Sequence, residues 1–320
     1  MQASLKHAWI ACYAVLATSS VYAAYPQQPI QLIHGFAAGG NADSVARVIA
    51  ADMEKKLGTT VVVEPKTGAG GTIASAYVAR AKPDGHTLIL LTGGHTASAA
   101  VRKSLPYDPV NDFAMVSTVT RFPFVVAVSA KSPIKSLGEL LESTQKSTTG
   151  ATYSSVGVGS TQHLTGELLA STSKANFVHI PYRGGGAPVV AVMSGDVDVL
   201  IDTVTVASPQ LAAGTLRALA VTSKDAWPLL PGVPSVHNSL PGFDVISWLG
   251  VAAPAGTPSD VLEHLNTTLK HTLNDPDIQT KLRAMGSEAW YSTPDDMRSM
   301  VSTTLDQWKR VVADSNIPMQ

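Results

Sequence analysis

The sequence predicts an α/β protein built from two lobes, and three observations lead to that prediction. Short apolar segments alternate with longer segments of helical character along most of the chain, as in parallel sheets covered by helices. Several apolar segments end in Gly-rich turns, the first of them beginning at Gly35. About 297 residues follow an N-terminal leader, which is enough for two domains with hydrophobic cores of their own.

The first lobe begins with three predicted strands that alternate with helices. The first helix is predicted to be capped by Asn41 or Asp43 and to end at Gly58. The strands are short enough to be buried in a parallel sheet, which places their carboxyl ends at one edge beside helix N-termini. The predicted strands are 30–34, 61–64 and 87–91, the helices are 43–57 and 73–82, and 93–96 is a glycine loop.

Two crossings between the lobes are predicted from the middle and the last third of the chain. Strands 115–118 and 124–128 flank Arg121-Phe122-Pro123, where the chain enters the second lobe, and it returns at about 248–254. These crossings divide the chain into lobe 1 (residues 24–122 plus 252–320) and lobe 2 (residues 123–251). Lobe 2 is predicted to contain strands 152–154, 177–180, 197–201 and 216–221 and helices 137–146, 162–170 and 187–193, and the tail contains helices 259–273, 276–285 and 294–313.

Residues 1–23 have the three parts of a secretory signal peptide. Lys6 supplies a basic start, an apolar run of ordinary length follows, and Val21-Tyr22-Ala23 presents small residues where a signal peptidase cleaves. Polar residues interrupt the apolar run too early for a membrane anchor. We therefore expect cleavage after Ala23 and a periplasmic mature protein. Its single cysteine, Cys12, is lost with the leader, so we expect no disulfide.

Charge and motif composition argue against several classes of function. The formal net charge is -1 and the basic residues are scattered, so nucleic-acid and membrane-surface binding have no electrostatic basis. Ser160, His163 and Asp202 could form a hydrolase triad, but no G-x-S-x-G elbow accompanies them, and residues three apart at one helix end rarely align as nucleophile and base. The glycine loops lack the Lys-Ser/Thr of a phosphate loop, and no His-rich metal motif is present. We expect no catalysis, no cofactor and no metal.

Eight sequence blocks in order carry a resemblance to one family. Together they resemble the substrate-binding proteins of tripartite tricarboxylate transporters, the Bug family, over essentially the whole mature chain. The blocks are FAAGGNADSVAR (36–47), GAGGTIAS (68–75), KPDGHTL (82–88), LPYDPVNDF (105–113), GVGSTQHLTGELL (157–169), HIPYRGGGAPVVAVMSGDVDVLIDT (179–203), LRALAVTS (216–223) and LLPGVPSV (229–236).

The resemblance implies a Venus-flytrap fold, the two-lobed architecture of periplasmic binding proteins, with two crossover strands and a ligand in the cleft. It implies a monomer that delivers a small carboxylate, such as a di- or tricarboxylate, an amino acid or an aromatic acid, to one large and one small integral-membrane transporter subunit. The ligand-binding residues it implies are Phe36, Ala38, Gly39, Asp43, Gly70, Gly71 and Thr72 in lobe 1, and Ser155, Ser160, Thr161, His163 and Asp202 in lobe 2.

The chain departs from the family pattern at a few positions. Ala37 and Asn41 stand where proline is frequent, which predicts a more mobile first loop. Thr203 stands where asparagine is common, which leaves the contacts of this side chain open. Arg183 could serve as an anion receptor, but the resemblance implies a solvated surface position, because the family carries Lys or Arg there on an exposed turn. A sensor that presents its closed form to a membrane kinase is compatible with the same residues.

The residues themselves support a carboxylate site. Glycine lets backbone amides approach a ligand closely, and helix N-termini offer unpaired N–H groups with a favourable dipole. Asp202 ends an apolar strand, where an unpaired carboxylate is costly to bury, so it either holds a neighbouring loop or accepts a hydrogen bond from a ligand hydroxyl, amine or water. His163 is either a ligand contact or a core and capping residue.

Overall fold

The strands and helices alternate along the chain as expected for an α/β protein. The computed structural model describes residues 25–315 and 317–320, and within them it contains ten strands and ten α-helices. The predicted signal peptide, residues 1–23, lies outside the described residues. No helix of the described part is long and apolar enough to cross a membrane.

Lobe 1 is organised around three parallel strands. β1 (Ile30–His34) pairs with β2 (Val61–Pro65) on one side and with β3 (Thr87–Thr92) on the other. β3 pairs in turn with the antiparallel strand β9 (Ile246–Pro254), and β9 pairs with β4 (Phe113–Ser129). The turns that follow β1, β2 and β3 therefore lie together at one edge of the sheet.

β4 runs through both lobes as one strand of 17 residues. It pairs with β9 as far as Pro123 and with the sheet of lobe 2 from Phe124 onwards. The prediction of two strands separated at 121–123 was wrong. Pro123 lacks an N–H, but it lies opposite Ile246, the first residue of β9, where β4 changes its partners and a missing donor is tolerated.

Lobe 2 repeats the parallel arrangement. β5 (Ala151–Ser155) pairs with β6 (Phe177–Pro181) and with β7 (Val199–Thr203) in parallel. β7 and β8 (Leu216–Val221) both pair with β4 in antiparallel orientation. The turns after β5, β6 and β7 thus face the corresponding turns of lobe 1, and the two-lobed α/β fold predicted from the sequence is confirmed.

The helices cover the sheets of both lobes, and the C-terminal helices pack on lobe 1 as expected. In lobe 1, α8 and α9 pack on α1, and α10 packs on α3. The helices are α1 (Asn41–Leu57), α2 (Thr72–Ala79), α3 (Gly93–Val101), α8 (Ser259–Leu273), α9 (Pro276–Ala284) and α10 (Pro294–Asp314) in lobe 1, and α4 (Leu137–Lys146), α5 (Thr161–Ser173), α6 (Ala187–Ser194) and α7 (Val204–Ala212) in lobe 2.

Two local predictions were wrong, and both concern elements that reach the cleft. Residues 93–96 form the first turn of α3 instead of a loop. The Thr92 hydroxyl caps this helix, because it accepts a hydrogen bond from the amide of Gly94. A side chain at Gly93 would lie 2.6 Å from Ser247 Oγ, so glycine allows the helix to begin this close to β9. Helix α7 was not predicted at all.

Candidate ligand-binding cleft

A cleft lies between the lobes at the carboxyl ends of their strands. It holds about 470 Å³ of atom-free space, including its opening to solvent. Lobe 1 and the crossing strands contribute Phe36, Gly40, Asn41, Ala42, Thr92, Gly94, Phe122, Phe124, Ser247 and Leu249. Lobe 2 contributes Val156, Thr161, Gln162, Gly184, Gly185, Asp202, Thr203 and Val206.

Four helices begin at the walls of this cleft. α1 starts after Gly40, α3 after Thr92, α5 after Ser160 and α7 after Thr203. The first-turn amides of a helix have no intrahelical acceptor, and the helix dipole makes this end positive. Because the lining residues include no Lys, Arg or His, the favourable field for an anion comes from the main chain.

Asp202 is the only acidic residue among those that line the cleft, and one of its two carboxylate oxygens is unused. The residue is 2% exposed. Oδ1 accepts hydrogen bonds from the amide of Thr203 at 2.7 Å and from Gln162 Nε2 at 3.3 Å. Among the described residues, Oδ2 has no hydrogen-bond partner. Burial raises the pKa of this carboxyl to about 6, although the bonds from Thr203 and Gln162 oppose the shift.

Thr203 also carries an unused polar atom. Its hydroxyl is buried and has no hydrogen-bond partner within the described chain, and the residue lines the cleft beside Asp202. A hydroxyl can both donate and accept a hydrogen bond, so Thr203 can bind either an acceptor or a donor group of a ligand. The departure from the family's asparagine therefore keeps a polar group at this position.

The two glycine loops of lobe 1 pack directly on each other. A side chain on Gly35 would lie 2.5 Å from the Cα atom of Gly71, and one on Gly71 would meet the Phe36 ring at 3.5 Å. Gly71 has a φ of 94°, which favours glycine on backbone grounds as well. Gly70 and Gly71 line a second, smaller cavity behind Phe36, with Ser75 among its walls. They thus support Phe36 from behind, on the side away from the main cleft.

The predicted residues Ala38, Gly39, Asp43 and Thr72 do not line the cleft. Ala38 and Gly39 are exposed, and the Thr72 hydroxyl donates to the carbonyl of Ala69.

Asp43 is buried and already satisfied. It accepts from the Gly39 amide at 3.0 Å and from Arg47 at 2.9 Å, and it lies 3.3 Å from His34 Nε2. Burial raises the pKa of the Asp43 carboxyl, but the Arg47 and Gly39 hydrogen bonds outweigh it and hold the pKa below its usual value. Asp43 therefore fixes the shape of the first loop.

Ser155, Ser160 and His163 form a network behind the cleft in lobe 2. Ser155 Oγ lies 2.6 Å from His179 Nε2, and His163 Nδ1 accepts from the Gly159 amide at 3.3 Å. The imidazole rings of His163 and His179 contact each other with their centroids 4.2 Å apart and their planes tilted by 31°. Burial lowers the pKa of His163 to about 4, and burial together with the neighbouring His163 lowers that of His179 to about 3. Neutral histidines thus hold the loop that follows β5.

The arrangement of Ser160 does not fit a nucleophile. Its hydroxyl accepts from the backbone amide of His163 and caps α5, while the imidazole of His163 faces the Gly159 amide. A serine nucleophile needs its hydroxyl bonded to the imidazole of a base. Among the described residues, no group of His, Cys, Asp and Glu side chains is placed to hold a metal ion.

Residues 184–185 were missed by the sequence reasoning. Arg183 is exposed as expected, but Gly184 and Gly185 behind it are buried and line the cleft. The backbone of Gly185 lies 3.4 Å from the place of a side chain on Gly40, so the two loops touch across the opening. Both glycines have positive φ, and the run of three glycines was the available signal for a close backbone approach.

Side-chain hydrogen bonds also cross between the lobes. Ser98 Oγ in α3 donates to the carbonyl of Gly159 at 2.8 Å. The Asn41 side chain at the start of α1 lies 2.6 Å from Thr205 Oγ1 in α7, and the same hydroxyl lies 2.7 Å from the carbonyl of Met285. The lobes therefore contact each other around the cleft.

Comparisons with known proteins agree with this geometry. The family model described as tripartite tricarboxylate transporter family receptor, TctC, matches residues 45–317. The chain is 33% identical over 293 residues to a UPF0065 protein from the tcbD-tcbE intergenic region of Pseudomonas sp. (strain P51), covering 91% of this chain and 87% of that relative.

Solved structures of similar sequence have the same fold. The periplasmic binding protein BugD matches with a TM-score of 0.88 and 33% identity, covering 92% of this chain and 100% of its own. The R. palustris protein Rpa4515 with adipate matches with a TM-score of 0.89 and 32% identity, covering 92% of this chain and 99% of its own.

The protein is therefore a periplasmic solute-binding protein, as its two α/β lobes, its cleft walled by helix N-termini and these similarities indicate. Proteins of this class are receptors and not enzymes. The chain belongs to the TctC family of tripartite tricarboxylate transporter receptors, and the resemblance to the Bug proteins is confirmed.

Proposed function

We propose that this protein captures a small organic carboxylate between its lobes. The observation that carries the proposal is the convergence of four helix N-termini on a cleft whose lining contains no basic side chain. Such an arrangement stabilises an anion through main-chain amides and helix dipoles. The adipate bound to the similar protein Rpa4515 supports a carboxylate of this size class.

The energies agree with capture by both lobes together. A hydrogen bond to a charged group contributes about 1.5 to 3 kcal/mol, and a helix N-terminus about 0.3 to 1 kcal/mol. A micromolar complex requires about 8 kcal/mol net, after the cost of association. Two such bonds and two helix N-termini from one lobe contribute at most about 8 kcal/mol before the cost of association, so contacts from the second lobe are needed for a micromolar complex.

The two lobes have different roles in this scheme. Lobe 1 holds one carboxylate with the amides at the starts of α1 and α3, next to Phe36. Lobe 2 selects the rest of the molecule with Thr161, Asp202 and Thr203. The apolar rings of Phe122 and Phe124 form the floor between them, which suits an alkyl or aromatic body.

The family supports a role in delivery to a transporter. We propose that residues 1–23 direct export of the chain and that the mature protein acts as a monomer. Its lobe 1 comprises residues 24–122 plus 252–320, and its lobe 2 comprises residues 123–251. It passes its ligand to one large and one small membrane subunit. The family model that matches residues 45–317 describes a transporter receptor, which supports this step.

The test is a thermal-shift screen of purified residues 24–320 against dicarboxylates, amino acids and aromatic acids, followed by calorimetry of the best ligand. We expect one acid to bind at micromolar concentration, and its uncharged amide analogue to bind at least tenfold more weakly. Equal binding of acid and amide, or conversion of the acid to a product, would overturn the proposal.

A further inference from the structure

We propose that Asp202 couples ligand choice to protonation. An acid whose far end carries a second carboxylate binds together with one proton, which lies between Asp202 Oδ2 and the ligand. An acid whose far end carries a hydroxyl binds without one. This inference rests on the proposed function, and it adds the class of ligand that the site accepts at a given pH.

The charges around Asp202 are the first support. Among the described residues that line the cleft, Asp202 is the only one with a formal charge. The groups that pair with Asp202 or hydrogen-bond to it are uncharged: Val125 of β4 lies opposite it in the sheet, and Gln162 of α5 and the amide of Thr203 donate to it. The facing wall of the cleft adds Asn41, Thr92 and Ser247. A second ligand carboxylate would therefore find no cation here.

The hydrogen-bond geometry is the second support. Oδ1 is occupied by Thr203 and Gln162, whereas Oδ2 is buried and unpaired. A ligand hydroxyl can donate to Oδ2 directly. Two carboxylates in a buried site repel each other unless one proton is shared between them. The proton is taken from the buffer, so binding of a dicarboxylate removes one proton from solution.

The acidity of Asp202 sets the pH range of the effect. Burial raises its pKa to about 6, so the free site is half protonated near that pH and almost wholly ionised two pH units higher. A bound second carboxylate raises the pKa further. The complex with a dicarboxylate therefore binds more protons than the free protein, and its affinity falls as pH rises above about 6.

The experiment compares matched acids that differ only in the far group: succinate with 4-hydroxybutyrate, glutarate with 5-hydroxypentanoate, and adipate with 6-hydroxyhexanoate. Calorimetry between about pH 6 and pH 8, in two buffers of different ionisation enthalpy, measures affinity and proton uptake. Above about pH 7, where the free Asp202 is almost wholly ionised, we expect dicarboxylate affinity to fall roughly tenfold per pH unit with uptake of about one proton, and near pH 6 we expect uptake of about half a proton. The affinity of the hydroxy acids should change by less than about twofold over the whole range.

Asp202→Asn is the matched variant, because the amide oxygen keeps the Thr203 bond and the amide nitrogen becomes a permanent donor to the ligand. We expect its dicarboxylate affinity to be independent of pH and, at about pH 8, at least as high as that of the wild type. A wild-type protein that binds dicarboxylates with flat affinity and no proton uptake overturns this inference and leaves the proposed function standing. Failure of every matched acid to bind overturns this inference, and failure of every acid in the wider screen overturns the proposed function as well.

Discussion

Ser98 Oγ donates a 2.8 Å hydrogen bond to the carbonyl of Gly159, and this bond joins α3 of one lobe to the loop after β5 of the other. Ser98 is fully buried, and a side chain on Gly159 would lie 2.9 Å from its hydroxyl. The contact therefore requires a serine on one lobe and a glycine on the other. It is made only when the lobes are together, so it contributes to the stability of the closed arrangement.

Ser98→Ala removes this bond without changing a residue that lines the cleft. We expect the ligand dissociation rate to rise about 2- to 10-fold, because one hydrogen bond of about 0.5 to 1.5 kcal/mol is lost from the closed form. Stopped-flow fluorescence with the best acid of the screen measures the rate. Ser104→Ala, at an exposed position on the same lobe, is the control. A dissociation rate unchanged by Ser98→Ala would show that the bond does not hold the lobes together.

Asn41→Pro restores the residue that is frequent in the family. Asn41 is the first residue of α1, where proline is well tolerated, and Gly40 before it has the extended backbone that proline requires. We expect unfolding stability to stay the same or rise by up to about 1 kcal/mol, while ligand affinity falls because the contact with Thr205 is lost. Chemical denaturation and calorimetry measure the two effects.

Asn41→Ala separates the two parts of this substitution, because it removes the same side chain but keeps the backbone amide. Any further loss of affinity in Asn41→Pro is the contribution of that amide to ligand binding. A proline variant that binds as tightly as the wild type would exclude both contacts from the binding energy.

His179→Gln should make the fold less sensitive to mild acid. The folded protein keeps His179 neutral down to about pH 3, whereas the unfolded chain takes up a proton near its ordinary pKa. The unfolded state therefore binds more protons as pH falls below about 6.5, and stability falls with it. Between about pH 7 and pH 5, we expect the variant to lose about 1 to 2 kcal/mol less unfolding free energy than the wild type.

Urea denaturation at the two pH values measures this difference. His271→Gln, at an exposed position on α8, is the control and should keep the full pH dependence. If His179→Gln loses as much stability as the wild type, His179 takes up its proton in the folded state as readily as in the unfolded chain.

Gly166→Ala should destabilise lobe 2 from within its core. A methyl group at Gly166 would lie 2.2 Å from the ring of Tyr153, which is fully buried and donates to Glu167. We expect a cost of about 1 to 3 kcal/mol from overpacking, measured by denaturation. Gly138→Ala on the exposed face of α4 has room for its methyl group and should instead stabilise by up to about 1 kcal/mol. Equal effects of the two substitutions would contradict the packing described for Tyr153.

Much of the fold follows from local patterns, because the strands of both lobes are short apolar runs that end in glycine turns. The exceptions have physical causes. Pro123 indicated a break, but a proline at the residue where β4 exchanges partners costs no ladder bond. Helix α7 contains Pro209 and begins with the β-branched residues Val204 and Thr205, so its local sequence does not favour a helix.

The candidate site was predictable in kind and only partly in detail. Phe36, Thr161 and Asp202 line the cleft because each lies within two residues of a strand or helix end. Asn41 and Thr205 meet although 164 positions separate them, and no local pattern encodes such a pair. Structural residues such as Asp43 also stand at strand and helix ends, so position in the sequence does not separate them from ligand-binding residues. Only the hydrogen-bond partners of Asp43 show that it fixes a loop.

The most direct test of carboxylate capture between helix N-termini is a crystal structure of residues 24–320 with the tightest-binding acid. We expect one carboxylate at hydrogen-bond distance, about 2.7 to 3.2 Å, from amides that open α1 and α3, with the other end of the ligand next to Asp202. Two results would contradict carboxylate capture between the helix N-termini. One is a ligand that contacts one lobe alone, and the other is a ligand bound outside the cleft with its carboxylate paired to a basic side chain.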